Sequence, residues 1–379
     1  MNGKDILAAL LQDISSGMFS TDKKLPSEAA LCSHFGVSRM TVRGALEELQ
    51  RRGLIEKRNG AGSFLTQRAL RKSGIIGLVI PDYNRFEFFA TVRHEVTQHC
   101  SRLNYHVELV TTDETAQDKA IADIRRKIRQ LAARRAEGVI FRPFVTSNSD
   151  EANLEMVRIL RNAEVPVVLI DSDITKPPER SDCDLVAVNN VEAGRRIADH
   201  LYDGGCRHFA FLMPGKTLAD NPNWNNRLFG LAGELALLGC EDGVRTLRFS
   251  ASDKTALASA LRGHPQPDAI VCGNDETAVA LIKALNALGK RIPKDIAVVG
   301  FDDLPLAKQT KPPLTTISQP VRKIAATAFK VLLARIRYPN NDPRETYLAA
   351  PLIVRGSTRI GDEPGTELPP RPKNLPCTD

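Results

Sequence analysis

The sequence predicts an α/β protein in which a small, mainly helical head precedes a larger body of doubly wound parallel sheets. Three observations carry this. Over residues 1–66, helical periods are punctuated by caps and glycines and end in a glycine-rich hairpin. From residue 75 onward, short apolar runs alternate with amphipathic helical patterns, as parallel sheets with covered faces require. The charge is uneven: 52 Lys and Arg against 45 Asp and Glu give +7, and residues 1–72, with twelve basic and seven acidic residues, carry +5 of it. A basic head on a nearly neutral body points to a polyanionic partner for the head, although surface basicity alone usually means only solubility.

The elements of the head follow in order. Ile6, Leu7, Leu10, Leu11 and Ile14 recur at helical spacing over 5–16, and Gly17 is placed to end that helix. Ser27 is read as an N-cap with Glu28 in the first turn, opening a helix that Gly36 breaks. Ser38 is a second N-cap, and Val42, Ala45, Leu46 and Leu49 give the next helix one buried stripe. Gly53 closes that helix. Residues 54–57 and 63–65 then flank Asn59-Gly60-Ala61-Gly62 as the two arms of a hairpin. Paired helices with a glycine turn, a long helix and a hairpin describe a winged helix-turn-helix. Its second paired helix is the one expected to enter the major groove, where it offers Ser38, Arg39, Thr41 and Arg43. Arg39 and Arg43 share a face, one suited to a guanine edge and the other to phosphate. Two solvated arginines are the common meaning of such a pair; the ordered series of caps, turn and hairpin is what favours DNA.

The stretch LPSEAALCSHFGVSRMTVRGALEELQRRGLIEKRNGAGSFL, residues 25–65, closely resembles the GntR-type winged-helix domain. The resemblance implies DNA contacts by Ser38, Arg39, Thr41 and Arg43, and by Asn59 and Gly60 at the wing; Ser27 and Arg58 are further candidate contacts. Ala29 stands where many relatives carry a phosphate-holding arginine, so Lys23, Lys24 or Arg58 would have to replace that contact.

Residues 67–74 read as a polar, basic linker, and 75–360 as the body. Strands are expected at 75–80, 106–111, 138–141, 167–170, 185–188, 208–213, 245–249, 269–272 and 297–300. Helices are expected at 88–103, 117–136, 150–163, 191–204, 224–239, 253–262, 275–288 and 321–337. Nine strands over nearly three hundred residues suit two lobes better than one. Polar residues follow the strands: Asp82 after the first, Arg142 after the third, Asp171 after the fourth, and Asn274 and Asp302 after the last two. Binding groups belong at those strand ends, and carboxylates, amides and guanidinium groups suit a ligand whose hydroxyls each donate and accept. A single Asp after a strand is more often a helix N-cap. Trp224, the sole tryptophan, would stack on the apolar face of a sugar or pack half-buried within a lobe.

The segments IGLVIPD, AEGVIFRP, VPVVLID, NRLFG, the run 267–304 and PPLTTISQP make the body similar to the LacI/GalR-type effector domain, itself akin to periplasmic sugar-binding proteins. That resemblance implies ligand contacts at Asp171, Arg227, Asn274 and Asp302, with Arg142, Asp82, Phe88 and Trp224 in support. The loop 83–88 departs from the family's commoner Asn-Pro-Phe-Phe, which leaves that wall of the pocket open. The pairing of a GntR-type head with this body resembles AraR-type arabinose repressors.

The expected function is therefore a ligand-responsive transcription regulator. It would bind double-stranded operator DNA as a homodimer and be released by a small molecule, a monosaccharide by the resemblance. A purine or sugar-acid effector, or activation in place of repression, stays open. No Walker loop, GxSxG, HExxH or zinc-ligand spacing points to an enzyme, a cofactor or a metal. The seven cysteines are scattered, with no CxxC, and read as buried thiols. The N-terminus reads as an amphipathic helix and not as a targeting segment, and no apolar run reaches the ~20 residues of a membrane span, so a cytoplasmic location is expected. Residues 361–379, with five prolines, read as a disordered tail.

Overall fold

The computed structural model describes residues 3–358, apart from 17–18, 20–23, 59, 67–72, 82–86, 146–148, 176–178, 214–220, 241 and 263–264. The head comprises α1 (Gly3–Ser16), α2 (Glu28–Phe35), α3 (Arg39–Arg51) and the antiparallel wing β1 (Ile55–Arg58) and β2 (Gly62–Leu65). Ser27 caps α2 by accepting from the Ala30 amide, Gly36 takes the left-handed conformation at its C-cap, and Ser38 caps α3 by accepting from the Thr41 amide. The stripe Val42, Ala45, Leu46 and Leu49 packs with Ile6, Leu10, Leu31 and Ile55 into one small core.

In the body, β3 (Ile75–Val79), α4 (Glu87–Ser101), β4 (His106–Val110), α5 (Gln117–Ala133), β5 (Gly138–Phe141), α6 (Asp150–Asn162), β6 (Val167–Ile170) and β7 (Asp184–Val188) build the first lobe. The second lobe is α7 (Asn190–Asp203), β8 (Phe209–Met213), α8 (Pro222–Leu237), β9 (Val244–Arg248), α9 (Lys254–Leu261), β10 (Ala269–Cys272), α10 (Asp275–Ala287), β11 (Ala297–Asp302), α11 (Pro305–Gln309) and β12 (Thr315–Ser318). The chain then returns to the first lobe with α12 (Val321–Arg337) and β13 (Glu345–Leu348) and closes the second with β14 (Leu352–Ile353). The first sheet runs β13-β7-β6-β5-β3-β4, all parallel. The second runs β14-β12-β11-β10-β8-β9, parallel except that β14 is antiparallel to β12. Each central strand is buried along its whole length, because helices cover both faces.

The chain thus passes between the lobes three times, after β7, after β12 and after β13. The nine expected strands and eight expected helices are all present. β12, β13, β14 and α11 were not expected: they are short, and β13 and β14 lie at sheet edges with half-exposed side chains. The expected linker is shorter at its end, since the Ser73 hydroxyl donates to the Arg135 carbonyl at 2.7 Å and the Gly74 amide to Glu137 at 3.0 Å. Residues 67–72 and the expected tail lie outside the described residues. Cys100, Cys183, Cys206 and Cys272 are buried free thiols.

Candidate functional site

The head presents α3 by its N-terminal end. Arg39 and Arg43 are exposed, and Arg43 pairs with Glu47 one turn on at 3.3 Å. Ser38 and Thr41 join hydroxyls at 2.8 Å, so both serve the cap as well as the surface. Between them Met40 is 79% exposed, an apolar tip that polar-residue reasoning passed over. At the wing, Arg58 lies over the Phe64 ring at 4.6 Å while bonding Glu56, and Lys24 lies 5.6 Å from the centroid of that ring. Gly60 sits at φ +73°, which a side chain would strain. Asn59 lies outside the described residues. The far end of α3 meets the body, where the Arg51 guanidinium lies 5.7 Å from the Tyr338 ring just past α12.

The body's site lies where both sheets present their C-terminal strand ends. From the first lobe, Arg142 follows β5 and Asp171 follows β6, and the Arg142 Nε donates to Asp171 Oδ2 at 3.2 Å. From the second lobe, Asn223 at the start of α8 donates to Asp171 Oδ1 at 2.9 Å and bridges the cleft. Asn190, at the first crossing, donates to Asn223 at 3.2 Å and accepts from Arg227 Nε at 2.8 Å. Arg227, only 5% exposed, also donates to the Gly273 carbonyl and lies flat on Phe301. Asp302 ends β11 and accepts from Gln319 at 2.6 Å.

Local geometry explains why these groups sit so close. α7 and α8 cross at Gly194 and Gly230, where a Cβ on either would run into backbone of the other helix, and that contact seats Arg227. Asp171 and Asp302 both have positive φ, +73° and +117°, conformations that non-glycine residues hold only when their surroundings impose them. Such strain is concentrated at sites that bind.

Burial sets the electrostatics. It pushes Asp302 up to about 7, against the opposing pull of Arg227, so its carboxyl is shared between acid and anion near neutrality. Burial also lowers Arg227 to about 10, against Asp302, Asp171 and Asp275, so it stays a cation. Asp275, fully enclosed, is raised by burial to about 6 while accepting from Thr316 at 2.6 Å and the Leu304 amide at 2.8 Å.

The expected site residues divide accordingly. Asp171, Arg227, Arg142 and Asp302 line one polar cleft. Asn274 stands at the same strand end, but its Oδ1 caps α10 by accepting from the Thr277 amide at 3.0 Å. Trp224 is 6% exposed and its indole lies on Gly273, so packing within the lobe describes its place. Asp82 and the side chain of Phe88 lie outside the described residues; the adjacent Phe89 packs under Arg142, 5.1 Å from its guanidinium. Sequence reasoning missed Asn190, Asn223 and Gln319. Asn223 stands one residue from Trp224 at a helix start, a place to look once strand ends alone are not the rule.

A basic winged helix joined to a two-lobed cleft of this kind defines a class, the effector-controlled DNA-binding regulators. Residues 2–65 match the model of the bacterial regulatory proteins of the gntR family, and residues 198–358 that of the periplasmic binding protein-like domain. The chain is 28% identical to the arabinose metabolism transcriptional repressor of Geobacillus stearothermophilus, over 92% of this chain and 95% of that one. It is 30% identical to the HTH-type transcriptional repressor PurR of Vibrio vulnificus, over 75% of this chain and 81% of that one. Among solved structures, a LacI family transcriptional regulator from Enterococcus faecalis with bound ribose superposes with a TM-score of 0.61 at 25% identity, covering 76% of this chain and 99% of that one. The transcriptional regulator CelR in complex with cellobiose covers 93% of this chain and 98% of its own, with a TM-score of 0.63 at 22% identity. The chain belongs to the bacterial helix-turn-helix transcriptional repressors built on a periplasmic-binding-protein-like body, here with a GntR-type head. Among the described residues no helix is long and apolar enough to cross a membrane.

Proposed function

We propose that the protein is a cytoplasmic repressor that binds a two-fold operator as a homodimer and is released by a small neutral carbohydrate held between its lobes. The observation that carries the ligand class is the cleft itself: two carboxylates, two guanidinium groups and three amides converge from both lobes, with Asp302 balanced between donor and acceptor. A sugar hydroxyl needs both roles at once. A purine would need a free aromatic face. Phe89, Phe301 and Trp224 are all buried, with Arg142, Arg227 and Gly273 against them, so none of these three offers an open face for stacking. The similarity to an arabinose repressor and to a ribose-bound regulator supports the same class.

The coupling follows the chain. Gln319 holds Asp302, α12 begins two residues later, and it ends beside Tyr338, which meets Arg51 of the recognition helix. A ligand that resets Asp302 and Gln319 moves α12 and, with it, the seat of α3. Ligand and operator then oppose each other reciprocally, by a coupling of about 1–3 kcal/mol. The test is fluorescence anisotropy of the full chain on DNA from upstream of its own gene, titrated with pentoses, hexoses and their phosphates. A salt-sensitive complex dissolved by one neutral sugar supports the proposal; a complex indifferent to all of them moves the effector to another class.

A further inference from the structure

Met40 is 79% exposed, more than any other large apolar side chain among the described residues. Single exposed apolar residues are ordinary on protein surfaces, so exposure alone says little. Its place says more. Met40 is the second residue of α3, and helical side chains lean toward the N-terminus, so it projects past the end offered to the groove. Val42, Ala45, Leu46 and Leu49 turn the other way, into the core of the head.

One turn on, the same face carries Gly44. It is exposed, and a Cβ built there would meet nothing within 4 Å. Glycine inside a helix is destabilising relative to alanine, and no packing within the chain calls for it here. A bare position of this kind suits close approach by a surface from outside the chain. The hydrogen-bonding groups nearby are partly engaged: Ser38 and Thr41 join hydroxyls at 2.8 Å, and Arg43 pairs with Glu47 at 3.3 Å. Met40 and Gly44 thus form an apolar strip alongside the face of Arg39 and Arg43.

Among the base edges of the major groove, the C5-methyl group of thymine is the apolar feature; the others donate or accept hydrogen bonds. Methionine, unbranched and polarizable, fits such a contact without demanding one geometry. We propose that Met40 reads a thymine methyl group in each half of the operator, and that Gly44 lets α3 sit close enough for that contact. The proposal rests on the operator-binding reading above, with α3 in the groove. Sequence preference then has an apolar component beside the polar one of the arginines.

Fluorescence anisotropy of the full chain tests it on the operator upstream of its own gene. Each thymine is replaced in turn by deoxyuridine, a change that removes only the methyl group. At one position in each half-site, replacement is expected to weaken binding about fourfold, as loss of one buried methyl group brings. Met40→Ala weakens binding to the unmodified operator by a similar factor and loses nothing more at that thymine. Gly44→Ala keeps or raises the Tm, yet weakens the operator complex at least several-fold. A scan in which no thymine matters overturns the proposal. So does a penalty that persists undiminished in Met40→Ala, or a Gly44→Ala variant that binds as tightly as the wild type. Absence of a salt-sensitive complex with any upstream duplex overturns the operator-binding reading itself, and the proposal with it.

Discussion

The guanidinium carbon of Arg227 lies 3.3 Å from the centroid of the Phe301 ring, so the side chain is stacked flat with its nitrogens turned to Asn190 and Gly273. A planar guanidinium stacks here while its fork reaches Asn190 and Gly273 together; a compact ammonium on a flexible stem cannot hold the same three contacts at once. Arg227→Lys is therefore expected to fail almost as fully as Arg227→Ala. Each weakens effector binding at least about 100-fold: alanine leaves the carboxylates opposite in a buried site without their cation, and lysine loses the bonds to Asn190 and Gly273 that fix the charge in place. Operator affinity without effector stays within a few-fold. Calorimetry and anisotropy on the same preparations read both, and a lysine variant with near-normal effector affinity would contradict the stacking role.

Burial holds the Asp302 carboxyl near 7, above its usual 3.8. The folded protein thus keeps a proton that the unfolded chain releases, and the associated stability is complete below about pH 4 and lost as pH rises to about 7. Asp302→Asn keeps an oxygen for Gln319 and removes this slope. The difference in Tm between the variant and the wild type should shift in the variant's favour from about pH 5 to 7 and then level off. A difference that does not change with pH would mean that Asp302 is ionised throughout.

Gly194→Ala and Gly230→Ala introduce a methyl group where α7 and α8 touch backbone to backbone. Each is expected to cost more than about 2 kcal/mol in urea unfolding, since rigid backbone cannot give way as a side chain can. The surviving folded fraction should also bind effector poorly, because Arg227 is displaced. Gly233→Ala, with open space around its Cβ, serves as the control and should be neutral or slightly stabilising.

Arg39→Ala and Arg43→Ala should each weaken operator binding by about tenfold or more. Whichever arginine grips phosphate will also lower the slope of log K against log salt by about one, while the base-reading one will relax sequence preference instead. If neither changes affinity, α3 is not the element in the groove.

Tyr338→Ala leaves effector affinity in the absence of DNA unchanged, yet is expected to alter the factor by which effector weakens the operator complex. Its ring meets Arg51, outside the effector cleft. Anisotropy titrations at saturating and zero effector measure that factor, and an unaltered factor would remove α12 as the route of coupling.

Much of this molecule was legible before its structure. Central strands such as Gly138–Phe141 and Ala269–Cys272 are buried on both faces, so their continuous apolar runs mark their ends closely. Thr315–Ser318 and Glu345–Leu348 escaped because the first is polar and short, and the second is an exposed edge held by its neighbour's backbone. In the cleft, Asp171 and Asp302 were readable from their places after strands. Arg142 was readable in the same way and Arg227 from the family resemblance; Asn223 and Asn190 were not, since Asn223 reaches Asp171 across 52 residues and Asn190 meets Arg227 across 37, separations with no period to betray them. Asn274 shows the opposite case: the residue type was right for a ligand, but the helix beginning at Asp275 claims its oxygen.

Three separate passages join the lobes. Two bodies tied by a single strand can tilt, slide and twist in many directions, and a bound molecule would have to select among them. Three ties placed side by side resist all of these but one swing, like a door hung on several pins. Whatever the effector does to the lobes therefore arrives at the head as one motion of fixed sense, and a molecule too small to touch both lobes has no purchase on it.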